Sequence, residues 1–154
     1  MPSKTKNEFD EALKFAIDNE QKAVEFYTKL AARPHQPGVK EMLLQLAEEE
    51  KGHKAKLERV RSGEKLLKPG AGLTRKLDLE DYVTAPESED DLDFQDALLL
   101  AMKKEKAAFS FYMDVAGNMR DPSLKELFLS LASEEATHKL RFELEYDRQI
   151  QPDN

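Results

Sequence analysis

Apolar residues recur along most of this chain at alternating intervals of four and three, the spacing of a helix that buries one face. Four stretches carry this pattern. We expect helix A over residues 7–32, helix B over residues 37–62, helix C over residues 92–116 and helix D over residues 122–148. The turns between A and B and between C and D are short, so each pair should form an antiparallel hairpin. The chain is therefore predicted to be all-α, a single domain over residues 1–154.

The two predicted hairpins, residues 7–63 and 92–148, repeat one another. A shift of 85 residues aligns residues 8–60 with residues 93–145 without a gap, and 20 of the 53 pairs are identical. Such internal similarity indicates two copies of one structural unit, so we expect the hairpins to pack about a pseudo-twofold axis.

The crossover between the hairpins, residues 64–91, is long enough to run the length of a helix of about 26 residues, which is about 39 Å. Two hairpins joined by one such crossover make a ferritin-like four-helix bundle. The apolar side chains of the crossover are expected to pack along the bundle or onto a second subunit. They are Leu66, Leu67, Leu73, Leu77, Leu79 and Tyr82.

A glutamate interrupts the apolar face of every predicted helix near its middle, and in helices B and D a histidine follows it by three residues. A buried carboxylate costs several kcal/mol even after relaxation, and four close together repel one another. No Lys or Arg lies on these faces to compensate, whereas two divalent cations would. The six residues are Glu20, Glu50, His53, Glu105, Glu135 and His138.

Glutamate on all four helices and Glu-x-x-His on two of them is the ligand set of a dinuclear metal site inside a helix bundle. We expect Glu50 and Glu135 to bridge the two metals. Glu20 with His53, and Glu105 with His138, would then bind one metal each. Oxygen and nitrogen ligands without sulfur suit iron best, with manganese second and zinc possible.

Several neighbouring residues have both a structural and a functional interpretation. One Glu-x-x-His motif usually marks two surface residues, but two copies in register favour a metal site. Glu49 and Glu134 lie about 100° from the buried face, so a solvated or rim role is favoured over contact with the ligands. Tyr27 and Tyr112 are either core aromatics or hydrogen-bond donors to the ligand carboxylates. His35, in the A–B turn, is expected to be a surface histidine.

Composition excludes several classes of function. The net charge of −7 makes nucleic acid and anionic membrane surfaces poor partners. The absence of cysteine excludes disulfides, iron–sulfur clusters and thiolate metal sites. No apolar run follows the basic N-terminus as in a signal peptide, and the longest run, Ala97 to Met102, is too short to span a bilayer. A cytoplasmic location is expected.

These residues together resemble the rubrerythrin family of ferritin-like di-iron proteins. The resemblance extends from about Glu8 to Glu145. It implies a non-haem centre of two iron ions that reacts with hydrogen peroxide or dioxygen, and a homodimer. The motifs that carry it are Ala16 to Glu20, Phe26-Tyr27, Leu46 to His53, Ala101 to Glu105, Phe111-Tyr112 and Leu131 to His138.

The chain departs from the rubrerythrin pattern at two points. Rubrerythrins carry a C-terminal rubredoxin domain with four cysteines, and this chain has none, so an external electron donor such as a separate rubredoxin is expected. The family also has a second glutamate on helix C, where this chain has Ala108. The expected function is reduction of peroxide or dioxygen. The alternatives are a ferroxidase or iron-binding protein without turnover, and a helical interaction module with a vestigial metal site.

Overall fold

The computed structural model describes residues 4–63, 72–84 and 91–150, with side chains from Asn7 onward. Within these residues it contains four α-helices and one short 3-10 helix, Leu79–Tyr82. The prediction of an all-α bundle is confirmed, and each helix begins and ends within about three residues of its expected position. The helices are α1 (Lys4–Ala31), α2 (Val39–Ser62), α3 (Phe94–Gly117) and α4 (Pro122–Ile150).

The helices of the second hairpin begin at aspartate caps. Asp93 accepts a hydrogen bond from the backbone N–H of Asp96 at 2.8 Å and caps α3. Asp121 accepts from the N–H groups of Ser123 and Leu124 at 2.9 and 3.1 Å, as expected for a cap that precedes proline.

In the first hairpin, glycines flank α2 at both ends instead. Helix α2 begins two residues later than expected. Pro37 lies in the turn, because Gly38 has the left-handed φ of 90° that helical residues do not adopt. At the other end of α2, a Cβ on Gly63 would lie 2.7 Å from the carbonyl oxygen of Arg59. Close backbone approach, and not a positive φ, therefore favours glycine there.

The core consists of two apolar clusters that together draw on all four helices. In the first cluster, the N-terminal half of α1, with Phe9 and Leu13, meets the C-terminal half of α3, with Val115. In the second, the C-terminal half of α1 meets the N-terminal half of α3, and Phe26 lies near Leu98. Helix α1 is thus antiparallel to both α2 and α3. Among the described residues, no helix is both long and apolar enough to cross a membrane.

The described part of the crossover docks against the second hairpin. Leu73 and Leu77 are buried in the first cluster, as the prediction of packing along the bundle requires, whereas Leu66 and Leu67 lie outside the described residues. The backbone N–H of Thr74 donates to the carbonyl of Asn118 at 2.8 Å. The hydroxyl of Tyr82 donates to Asp114 at 2.5 Å. The crossover is therefore anchored at the C-terminal end of α3.

Candidate metal centre

The six predicted ligands meet in one polar layer between the two apolar clusters. Helix periodicity turns each of them toward the bundle axis, and every one of the six is at most 3% exposed. Each helix contributes at its middle. The contributions are Glu20 from α1, Glu50 and His53 from α2, Glu105 from α3, and Glu135 and His138 from α4.

The two histidines turn the same ring nitrogen, Nδ1, toward the carboxylates. His53 Nδ1 lies 3.0 Å from Glu135 Oε1 and 3.2 Å from Glu50 Oε1. His138 Nδ1 lies 3.4 Å from Glu135 Oε1 and 3.1 Å from Glu50 Oε1. The imidazole rings stack, with centroids 5.7 Å apart and planes at 11°. Glu50 and Glu135 therefore lie at the centre of the layer.

The layer divides into two groups of four ligand atoms, each within a span of 4.8 Å. Glu20 and His53 belong to one group, at 3.5 Å from each other, and Glu105 and His138 belong to the other, at 3.7 Å. Glu50 and Glu135 belong to both. The two groups therefore share two carboxylates and differ in one glutamate–histidine pair each.

The donor atoms of this layer fit a pair of cations. Six buried atoms that face one another lack a hydrogen-bond partner: one oxygen from each glutamate and Nδ1 from each histidine. Glu145 shows the contrast, because this equally buried carboxylate accepts hydrogen bonds from Gln149 and Arg148 at 2.7 and 3.1 Å. Unpartnered oxygen and nitrogen donors without sulfur are the set that iron, manganese or zinc binds.

Two tyrosines connect the layer across the pseudo-twofold axis. Tyr27 of α1 donates a hydrogen bond to Glu105 of α3, and Tyr112 of α3 donates to Glu20 of α1 at 2.7 Å. Both rings are at most 1% exposed. The hydrogen-bonding interpretation of these residues is the one that the structure shows. Each bond leaves the second oxygen of the glutamate facing the other ligands.

Glu49 and Glu134 lie at the rim of the layer, with side chains 39% and 43% exposed, and they also contact the histidines. Glu134 Oε2 lies 3.2 Å from His53 Nε2, and Glu49 Oε1 lies 3.7 Å from His138 Nε2. Each contact joins one hairpin to the other, so helical phase within one helix does not reveal it. A carboxylate beside Nε2 fixes the tautomer and orientation of a histidine whose other nitrogen binds metal.

The pKa values of the carboxylates in the layer shift because many ionisable groups are buried close together. Burial and the charge of Glu50 raise the pKa of Glu20 to about 8, and they also raise the pKa of Glu105. Burial opposes charge on Glu50 as well, but the neighbouring imidazoles of His138 and His53 lower its pKa to about 2.

The pKa values of the two histidines shift in the direction opposite to the one that burial alone would cause. Burial disfavours their charged form, but Glu20 and Glu50 raise the pKa of His53 to about 10. Glu105 and Glu50 do the same for His138, whose pKa also reaches about 10. Without metal, protons therefore offset the carboxylate charge, and metal binding has to displace them.

Ala108 lines a cleft that reaches Glu20, Glu50, Glu105 and Glu135, so the place of the additional family glutamate faces the layer.

His35 is half-buried and is not the surface histidine that we expected. Its Nε2–H donates to the carbonyl of Leu30 at 2.5 Å, and its ring packs on Phe94. His35 thus ties the α1–α2 turn to α3.

A four-helix bundle with a buried carboxylate–histidine layer belongs to the ferritin-like class of metalloprotein folds. The rubrerythrin family model matches residues 11–146, and the chain belongs to that family. It is similar to the solved structure of a hypothetical protein from Pyrococcus furiosus, with 30% identity and a TM-score of 0.73. The similarity covers 95% of this chain and 92% of that one. None of the curated proteins compared with this chain matches it significantly.

Proposed function

We propose that this protein is a non-haem di-iron oxidoreductase of rubrerythrin type, which reduces hydrogen peroxide or dioxygen with electrons from an external donor. The observation that carries the proposal is the layer of six buried, unpartnered donor atoms, divided into two groups that share Glu50 and Glu135. Family membership over residues 11–146 supports iron as the metal.

Each ligand has a distinct role in this proposal. Glu50 and Glu135 would hold both ions, Glu20 with His53 would hold one, and Glu105 with His138 would hold the other. When bound, the iron pair supplies the electrons that reduce the oxidant.

The surrounding residues orient these ligands. The hydroxyls of Tyr27 and Tyr112 hold one oxygen of Glu105 and Glu20, which leaves the other oxygen for metal. Glu134 and Glu49 lie beside the outer nitrogens of the histidines, whose Nδ1 atoms face inward. The apolar clusters enclose the layer at both ends of the bundle and lower the local dielectric constant there, which strengthens its electrostatic interactions.

Electrons have to come from outside the 154 residues, because this sequence contains no cysteine that could hold a rubredoxin-type iron. A separate rubredoxin is the donor that we propose, with a homodimer as the assembly and the cytoplasm as the location. Each of these rests on the resemblance to rubrerythrins and on composition.

Iron handling is the second candidate function, as a ferroxidase or an iron-binding protein without turnover. Ala108 favours it, because the family carries a seventh carboxylate at this position and its absence leaves a more symmetric ligand set. A third candidate, a helical interaction module with a vestigial metal site, is disfavoured because all six ligand atoms are present and converge.

Stopped-flow oxidation tests the proposal. Protein loaded anaerobically with Fe(II) should be oxidised by peroxide or dioxygen, and it should turn over repeatedly when reduced rubredoxin is supplied. Oxidation without turnover would favour iron handling, and no reaction with either oxidant would contradict both iron functions.

The role of position 108 can be tested in the same assay. Ala108→Glu should raise the ratio of the peroxide rate to the dioxygen rate by about tenfold, a relative change in barrier of about 1.4 kcal/mol. Ala136→Glu, on the exposed face of α4, is the matched control and should leave the ratio unchanged. An unchanged ratio in Ala108→Glu would show that the additional carboxylate does not select the oxidant here.

A further inference from the structure

The cleft between α1 and α3 is larger than dioxygen or peroxide requires. It leads from the surface to the carboxylate layer and has a volume of about 430 Å³. One water molecule occupies about 30 Å³ of the liquid, and cavities of about 300–1,000 Å³ bind organic ligands. Small side chains on both walls keep the cleft open: Ala16 and Ala23 on α1, and Ala107 and Ala108 on α3.

One end of the cleft is aromatic. The rings of Phe15 and Phe111 pack directly on each other, with centroids 5.3 Å apart, and together close this end of the cleft. Tyr82, from the crossover, packs edge-on against Phe111 at 5.2 Å, and Val83 beside it also lines the cleft. Three rings and an aliphatic side chain thus form an apolar end that suits a hydrocarbon chain.

The other part of the cleft carries two lysines on opposite walls, Lys22 on α1 and Lys104 on α3. Lys22 follows Phe15 by seven residues and Lys104 precedes Phe111 by seven, which corresponds to about 10 Å along each helix. Because α1 and α3 are antiparallel, both steps lead in the same direction. The two lysines therefore lie at the same level of the bundle, about 10 Å from the aromatic end.

The internal repeat does not account for these lysines. The position equivalent to Lys22 in the second hairpin is Ala107, and the position equivalent to Lys104 in the first is Asn19. All four residues line the cleft, together with Asp18. Each wall thus carries one lysine, at a position where the other hairpin has a different residue. The net charge of the chain is −7.

We propose that this cleft binds an amphipathic organic anion. Its headgroup would lie between Lys22 and Lys104, and its unbranched apolar chain would extend toward Phe15, Phe111 and Tyr82. The ammonium of Lys104 lies over the ring of Phe26, with Nζ 5.4 Å from the centroid, which keeps the side chain at this wall of the cleft and limits the entropy lost on binding. Such binding goes beyond the proposed redox function and requires no turnover.

Calorimetric titration of zinc-loaded protein tests this binding site, since zinc neutralises the layer without redox chemistry. The probes are octanoate, octylammonium and octanol, which share one chain and differ in headgroup charge. Octanoate should bind about tenfold more tightly than either of the others. Equal affinity for the three probes, or no binding of octanoate, would overturn the proposal.

Variants locate the site within the protein. Replacing Lys22 and Lys104 together by Met should weaken octanoate about tenfold and leave octanol unchanged, whereas Lys125→Met on the exposed face of α4 should alter neither. Ala108→Leu should abolish binding by filling the cleft, and Ala136→Leu should not. Loss of octanoate binding in the two control variants, or its retention in Ala108→Leu, would place the binding elsewhere and overturn the proposal.

Zinc content, measured in the same samples, keeps this proposal distinct from the proposed function. Failure to retain zinc would defeat the metal layer. Zinc retention without a preference for octanoate would defeat only the proposed cleft ligand.

Discussion

The two hairpins are nearly equivalent where they meet at the polar layer and differ where they meet the crossover. The reciprocal bonds of Tyr27 and Tyr112, and the reciprocal contacts of Glu49 and Glu134, have the same form in both directions. The crossover, in contrast, docks on the second hairpin through Asn118 and Asp114, whose equivalents in the first hairpin are Arg33 and Lys29.

This difference shows that the two hairpins need equivalent residues where both contribute to the polar layer, and not elsewhere. A layer built from both hairpins needs the same donors from each, because each metal group takes residues from both copies. The described part of the crossover also lines a groove with Glu8, Glu11 and Ala12 of α1, but its hydrogen bonds to the bundle go to α3. The first hairpin therefore needs no acceptors for it, and the residues at those positions are basic.

The largest expected effect tests the equivalence of the hairpins at the shared ligands. Glu50→Ala and Glu135→Ala should each reduce bound metal from two ions per chain to at most one, because each carboxylate belongs to both metal groups. Metal analysis after dialysis is the measurement, and the exposed residue Glu48 provides the control variant Glu48→Ala. Full metal content in either ligand variant would contradict the assignment of shared ligands.

The contacts between hairpins should have the next largest effect. Glu134→Gln should weaken metal binding about 10–100-fold, the usual cost of losing a carboxylate that orients a metal-binding histidine. Glu49→Gln should cost less, because Glu49 lies farther from its histidine, at 3.7 Å against 3.2 Å, and also contacts Arg141. Competition titration with a zinc chelator measures both. Affinities equal to that of the unmodified protein would restore a solvated role for both residues.

The Tm of the protein should depend on pH differently with and without metal. The pKa of Glu20 is raised to about 8, and those of His53 and His138 to about 10. Their stabilisation is complete below the unfolded-state pKa and is lost as pH rises through the folded-state pKa. The Tm of metal-free protein should therefore fall between about pH 6 and pH 10.

The zinc-loaded protein should not lose stability over the same range, because deprotonated ligands bind metal more tightly. The difference in Tm between the two forms should widen by at least about 5 °C toward alkaline pH. Calorimetric melts at several pH values measure it. A constant difference would mean that the layer does not exchange protons for metal.

The smallest expected effect concerns the crossover, where the hairpins differ. Tyr82→Phe removes the hydrogen bond to Asp114 and should lower the free energy of unfolding by about 1 kcal/mol, because Tyr82 is only partly buried. Thermal melting should show a decrease of about 2–4 °C. Tyr146→Phe in α4 controls for the loss of a tyrosine hydroxyl. A larger decrease in the control than in Tyr82→Phe would show that the crossover bond contributes little.

Most of the layer could be predicted from the sequence because the information is local to each helix. At 3.6 residues per turn, the apolar residues around Glu20 determine which way that side chain points, and the same holds for Glu50, Glu105 and Glu135. The three-residue spacing then puts each histidine beside its glutamate. The repeat added the evidence that all four helices contribute to the same layer.

Only the tertiary structure decided how residues on different helices meet. The contacts of Glu134 with His53 and of Glu49 with His138 depend on the separation and rotation of the two hairpins, and no spacing within one helix encodes these. The same holds for the cleft, whose width is set by how far α1 stands from α3, and for the docking of the crossover on α3. Helix phase is a local property, whereas the distance between helices results from packing among residues far apart in the chain.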